Sequence, residues 1–274
     1  MSEELNNTSK YKQILRSLLG DRSATWIHAG RFAYLLVFTN KLYAELDLDL
    51  LEHFAMKGAI AIDVGANSAN WTNILSKQIG KDGKVYAFEA DPYYAEVTKK
   101  TIRLLGLRNV RFFNFGLSDQ PEILRLEIFD DLGQRVSGTG KIIQKESLHE
   151  NRTIKVKLEP LDELANAYPD LWRAKLIKCD VEGFELKVFN GAIKILERAR
   201  PIVIAEVGDS VDVKNSSPTL FDFYNNLGYK SYVTVSNNMI RPSRQGGDIP
   251  EGQRPNRIFI PEEYPIPKSV QIDQ

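Results

Sequence analysis

The chain has 274 residues and a mass of 31.1 kDa, with 43% hydrophobic, 26% charged and 10% aromatic residues, enough apolar material for a full core and too much for a disordered or short peptide module. Thirty-six basic residues balance 36 acidic ones, so charge gives no argument for nucleic acid or an anionic membrane as the main partner. The single cysteine, Cys179, excludes an intramolecular disulfide and a cysteine-rich zinc cluster, and the polar start MSEELNNTSK lacks the apolar core of a signal peptide; the expectation is a cytoplasmic protein with no stable membrane insertion.

After a polar tail, Tyr11, Ile14, Leu15, Leu18 and Leu19 recur at helical spacing, and further helical stretches run from about Thr25 to Val37 and Lys41 to Phe54. Residues 1–57 therefore read as a tail and a helical lid. From Gly58 the pattern changes. Ala59–Val64 and Lys84–Glu89 are short apolar runs that each carry an acid at or near the end, and Val110–Phe115 is a third strand. Helices fall between them, from about Asn70 to Gln78 and from Asp91-Pro92 onward, where Asp serves as N-cap and Pro takes the first helical position. Glu122–Phe129 and Thr153–Leu158 form a β excursion around a loop containing Gly133, Gly138 and Gly140. Alternation then resumes with a helix at Leu161–Tyr168, a strand at Lys175–Asp180 and a helix whose stripe is Leu186, Phe189, Ile193 and Leu196. A strand at Pro201–Val207, a helix to Leu227 and strands at Tyr229–Val235 and Arg257–Ile260 complete it, the last two separated by a loop. Gly191 inside a helix costs roughly 1 kcal/mol against Ala, which signals a kink or a close contact. The whole is an α/β domain over 58–262, a mostly parallel sheet with helices on both faces, followed by a tail at 263–274.

Two signals carry chemistry. Asp63-Val64-Gly65-Ala66-Asn67 follows a buried strand and precedes a helix, where a glycine admits a ligand and the helix start offers free amides. It lacks the G-x-G-x-x-G spacing of a pyrophosphate cradle, and Asp63 beside the glycine would repel a phosphate. Glu89 ends the second strand, the place where an acid accepts hydrogen bonds from ribose hydroxyls. Together they point to an adenosine-containing ligand without a phosphate motif, which favours S-adenosylmethionine (SAM) over NAD.

These segments, with Val85–Pro92, Gly116-Leu117-Ser118-Asp119, the stretch Leu176-Ile177-Lys178-Cys179-Asp180-Val181-Glu182-Gly183-Phe184-Glu185 and Gly191-Ala192, resemble the FkbM-type methyltransferase family across about residues 58–207. The resemblance implies a class I (Rossmann-like) methyltransferase fold with a seven-stranded sheet whose last strand is antiparallel. It implies SAM as methyl donor and a hydroxyl oxygen of a sugar, glycan or other secondary metabolite as acceptor. Asp63, Gly65, Ala66 and Asn67 would line the methionine end, Glu89 the ribose, and Ser118 and Asp119 the adenine. Ala69 departs from the family's pattern, which has glycine there.

Lys178 and Asp180 are two apart on one strand and face one side; in an apolar strand they must be paired or functional. Glu182 follows in the turn, and Glu206 ends the next strand. Asp180 and Glu206 would converge if those strands are neighbours. They could then hold Mg²⁺ and orient a diol, or one of them could act as general base; alternatively Asp180 contacts SAM, Lys178 pairs with it and Glu182 caps a helix. The catalytic candidates are thus Asp180, Glu206, Glu182 and Lys178, with Asp180 also on the cofactor side. His28, His53 and His149 are scattered, and Cys179 reads as a small buried hydrophobe. The main expectation is a SAM-dependent O-methyltransferase; the alternatives are a non-catalytic SAM-binding or scaffolding protein and an NAD-type oxidoreductase.

Overall fold

The computed structural model describes residues 22–38, 46–54, 56–129, 140–143, 152–207, 219–243 and 256–273. The helix expected at Tyr11–Leu19, His149 and most of the loop around Gly133–Gly140 lie outside them. In chain order the elements are α1 (22–38), α2 (Leu46–Leu51), β1 (Ile60–Val64), α3 (Asn70–Ile79), β2 (Lys84–Phe88), α4 (Pro92–Leu104), β3 (Val110–Phe113), β4 (Gly116–Leu117), β5 (Glu122–Glu127), β6 (Lys141–Ile143) and β7 (Thr153–Glu159). They continue with α5 (Leu161–Ala167), a 3₁₀ turn (Pro169–Arg173), β8 (Ala174–Cys179), α6 (Glu185–Asn190), α7 (Ile193–Ala199), β9 (Ile202–Glu206), α8 (Leu220–Asn226), β10 (Tyr229–Ser236), β11 (Met239–Pro242), β12 (Asn256–Pro261) and β13 (Gln271–Ile272).

The main sheet has nine strands in the order β13-β11-β10-β12-β9-β8-β1-β2-β3. β3, β2, β1, β8 and β9 are parallel, and β12 runs antiparallel to both β9 and β10. Seven of the strands thus make the expected sheet with one reversed strand. The difference is at the edge: β11 pairs antiparallel with β10 and β13 parallel with β11, inside segments that read as loop and tail. Both strands are short, and β13 is exposed on both faces, so neither carries an apolar run that a sequence pattern would register. A second sheet, β4-β7-β5-β6, holds the β excursion.

Alternate residues of each central strand feed two cores. Ile62, Phe88, Ile177 and Val203 face α6, α7 and α8, whereas Ala61, Val85, Leu176 and Ile204 face α2 and α3. α4 starts as expected: the Asp91 side chain accepts the Tyr93 N–H at 2.8 Å, with Pro92 at the first position. The single helix expected through Gly191 is two, α6 and α7, broken there. A Cβ at Gly191 would stand 1.9 Å from the Ser118 carbonyl oxygen, so the chain passes too close to the second sheet for any side chain.

Candidate active site

Every parallel strand points its carboxyl end at one edge, and the site is assembled there. The loop after β1 folds over β2: Gly65 N–H and Ala66 N–H both donate to the Phe88 carbonyl, at 3.0 and 2.9 Å. Gly65 has φ +84°, and a Cβ there would sit 2.0 Å from the Asp180 carbonyl oxygen, so glycine is required both for conformation and for space. Ala69, at the N-cap of α3, adopts the left-handed conformation (φ 70°) that the family's glycine would take freely; the loop keeps its shape at a cost of about 1–2 kcal/mol. Glu89 binds this loop with both oxygens, accepting the Asn67 N–H and the Asp91 N–H at 2.8 Å each. Burial pushes its carboxyl up to about 7 against the lowering effect of those two bonds. Asp63, likewise buried, accepts the Thr72 hydroxyl at 2.5 Å; burial raises it to about 6, with Thr72 and Lys178 opposing.

Period-two alternation places Asp63, Lys178, Glu206 and Asn256 on the α2/α3 side of the sheet. Asp63 pairs in register with Lys178, and Glu206 with Asn256. β8 and β9 are neighbours, as the convergence of Asp180 and Glu206 requires, and their carboxyl groups are hydrogen-bonded to each other. Burial, the Asp180 charge and that hydrogen bond push Glu206 up to about 8, Lys178 opposing and Glu182 adding to the rise. Glu206 thus keeps a proton near neutral pH, shared in its hydrogen bond with Asp180. Lys178 Nζ lies 3.7 Å from Asp180 Oδ2, 3.0 Å from Asn256 Oδ1 and 5.2 Å from the Trp71 ring centre. Glu182, at φ 56°, lines the same cavity. Capping of the turn falls instead to Glu185, which accepts the Val181 and Gly183 N–H groups at 3.1 and 3.3 Å.

A cavity of about 500 Å³ joins these groups; Gly65, Ala66, Asn67, Glu89, Asp180, Glu182 and Glu206 all line it. Ser118 and Asp119 do not. Ser118 donates to Glu122 at 2.5 Å and Asp119 pairs with Lys187 at 2.8 Å, because the chain after β4 turns both side chains toward β5 and α6; Gly116 and Leu117, just before them, line the cavity instead. Lys178 and Asp63 stand behind the lining rather than in it. His28 is buried with its Nδ1 3.4 Å from the Tyr93 hydroxyl, and one turn later Phe32 reaches the cavity. Sequence reasoning missed Asn70 and Trp71, the first turn of α3. Both line the cavity, and Asn70 Oδ1 and Trp71 Nε1 are buried without a hydrogen-bond partner. Polar residues directly after a glycine loop were the available signal. For Mg²⁺ the fit is poor: among the described residues no three His, Cys, Asp or Glu side chains form a metal-ligating group, and Asp180 and Glu206 bind each other.

This strand order, with its reversed strand and its cavity at the carboxyl edge, defines a Rossmann-like methyltransferase fold. The Methyltransferase FkbM domain matches residues 63–231, and the chain belongs to that family. Among individual relatives, the chain is 34% identical over 86 residues to a "Probable cobalt-precorrin-6B C(15)-methyltransferase (decarboxylating)" of Sulfolobus acidocaldarius, a match covering 31% of this chain and 43% of that one. It is 31% identical over 65 residues to the demethylmenaquinone methyltransferase of Geobacillus stearothermophilus, covering 24% and 28%. The chain thus spans less than half the length of these relatives. The crystal structure of the methyltransferase FkbM from Methylobacillus flagellatus KT is 14% identical with a TM-score of 0.47, covering 83% of this chain and 47% of that one. An O-methyltransferase from Bacillus cereus in complex with SAH gives 14% and 0.46, covering 91% and 96%. No helix among the described residues is long and apolar enough to cross a membrane.

Proposed function

We propose that this methyltransferase uses SAM to methylate a hydroxyl oxygen of a sugar, glycan or other small secondary metabolite, with the Asp180–Glu206 pair taking the hydroxyl proton. The observation that carries this reading is the hydrogen-bonded carboxyl pair in the same cavity as Glu89 and the glycine loop. The residues present fit SAM. Glu89 has lone pairs left for ribose hydroxyls, and the buried, unpartnered Asn70 amide oxygen and Trp71 indole N–H offer an acceptor and a donor to a zwitterionic amino-acid end. Gly65, Ala66 and Asn67 give the backbone surface between them, and Leu117 an apolar wall. When bound, SAM supplies an electrophilic methyl group on a sulfonium.

A hydroxyl is a poor nucleophile until its proton begins to leave, so the acceptor needs a base within hydrogen-bond reach. The pair provides one carboxylate while the other carboxyl keeps the shared proton. Burial raises the affinity of Glu206 for that proton, and Lys178 behind Asp180 limits the charge that accumulates when both ionise. No metal enters this account, since the donor set does not fit one. The test is Asp180→Asn and Glu206→Gln: each should lower kcat about a hundredfold or more while SAM affinity stays within a few fold for Glu206→Gln. Full activity in both variants would remove the pair from the mechanism.

A further inference from the structure

We propose that Asn256, oriented by Asp47, is a positioning residue that keeps the Lys178 ammonium at Asp180. This rests on the carboxyl pair being the base. Asp47 lies on α2, outside the sheet and 209 residues from Asn256, yet the two are joined: Asn256 Nδ2 donates to Asp47 Oδ2 at 2.8 Å. The other Asp47 oxygen accepts the Thr234 hydroxyl. Only a donor satisfies Asp47, so the amide must turn its oxygen the other way, toward Lys178 Nζ at 3.0 Å. All four side chains are buried, with relative exposures of 7% for Asp47, 5% for Asn256, 2% for Thr234 and 1% for Lys178.

The arrangement divides one cation between two acids. Lys178 Nζ meets Asp180 directly and is linked to Asp47 through the Asn256 amide. A buried ammonium moves to whichever anion is least satisfied, because an unpaired buried charge is costly. With the amide in place Asp47 is already hydrogen-bonded, and the ammonium remains near Asp180. Without it, Asp47 keeps only the Thr234 hydroxyl and competes for the ammonium. Glu182 and Glu185 beyond β8 and Asp63 on β1 add negative charge around the pair. Arg257 follows Asn256 on β12, buried, with its Nη1 donating to the Asn256 carbonyl at 3.2 Å. Lys178 Nζ, 3.7 Å from Asp180 Oδ2, offsets the acids at the pair itself, so its place bears on how readily the pair gives up its shared proton. Asn256 opposes Glu206 directly in the β9–β12 ladder, which fixes this geometry through the backbone.

The experiment is a ¹³C NMR titration of side-chain carboxyls in the ligand-free protein, with the Glu206 resonance assigned by its loss in Glu206→Gln. Asn256→Ala should raise the titration midpoint of the pair by about one pH unit, a tenfold gain in proton affinity, as Lys178 swings to Asp47. The double variant Asp47→Asn with Asn256→Ala should bring the midpoint back to the wild-type value or below, since Asp180 is then the cation's only carboxylate partner in the network. The acidic limb of the kcat–pH profile should move with the midpoint, and the Kd for SAM should stay within about twofold. If Asn256→Ala does not fold, Asn256→Ser is measured in its place with the same expected direction. An unchanged midpoint in the single variant, or no return in the double, overturns the proposal and leaves the network as packing. The NMR readout does not depend on turnover: if Asp180→Asn and Glu206→Gln both keep full activity the base assignment fails, while the titration still decides what Asn256 does.

Discussion

Binding of SAM should expel a proton from Glu89, and the amount follows from the ligand-free site. Glu89 is buried against two backbone N–H groups and its carboxyl is pushed up from 4.5 to about 7. At pH 6 such a group is about nine-tenths protonated; at pH 8.5 it is almost wholly ionised. Ribose hydroxyls donate, so they bind the carboxylate and return it to its ordinary range. Calorimetric titration at pH 6 in buffers of different ionisation enthalpy should therefore show about 0.9 proton released per SAM, and near zero at pH 8.5. Affinity should rise about tenfold, ~1.4 kcal/mol, over the same interval. Asp63, raised to about 6, steepens the dependence below that pH if the ligand ionises it too. Glu89→Gln cannot ionise and should bind SAM weakly, without the Glu89 share of the proton release. Glu89→Ala should also destabilise the glycine loop, because the Asn67 and Asp91 N–H groups lose their partner at about 1–3 kcal/mol each. Wild-type binding at pH 6 with no proton release would refute the assignment of Glu89 to the ribose.

The same acids set the stability of the ligand-free protein. The folded values of Asp63 and Glu89 lie above the unfolded ones, so their stabilisation is fully present below about pH 4 and is lost as pH rises through about 6 and 7. Urea unfolding should show a decline of a few kcal/mol between pH 4.5 and 8, less steep with SAM bound; stability flat or rising over this range would contradict the burial account. Gly191→Ala should cost about 3 kcal/mol or more by thermal unfolding, since its Cβ would meet the Ser118 carbonyl oxygen at 1.9 Å. Asp119→Asn should leave SAM affinity within about twofold and cost under about 1 kcal/mol, because its partner is the half-exposed Lys187. Incubation with a chelator should leave turnover unchanged, and a loss restored by Mg²⁺ would reverse the reading of Asp180 and Glu206.

What could be read from the sequence was local. Short apolar runs ending in acids located β1, β2 and the edge they share, and Asp91-Pro92 marked the start of α4. A glycine out of place in a helical stripe announced the close contact at Gly191. Long-range pairing was not legible. Asp47 and Asn256 are 209 residues apart, and reading the last strand from Arg257 left Asn256 one residue outside it. Ser118 and Asp119 follow a strand just as ligand-binding residues would; only the path after β4, which turns them to Glu122 and Lys187, separates the two cases. Ala69 looked like a small change to a glycine loop, and the backbone shows why it is tolerated: the helix still begins from a left-handed residue.

The most direct test of the central claim is transfer of an isotopically labelled methyl group from SAM into cell-extract metabolites, with wild-type protein and the Glu206→Gln variant side by side. The wild type should give a labelled product in which the methyl is an ether on oxygen, formed about a hundredfold more slowly by the variant. A labelled methyl on carbon or nitrogen, or equal product from both proteins, would contradict that claim.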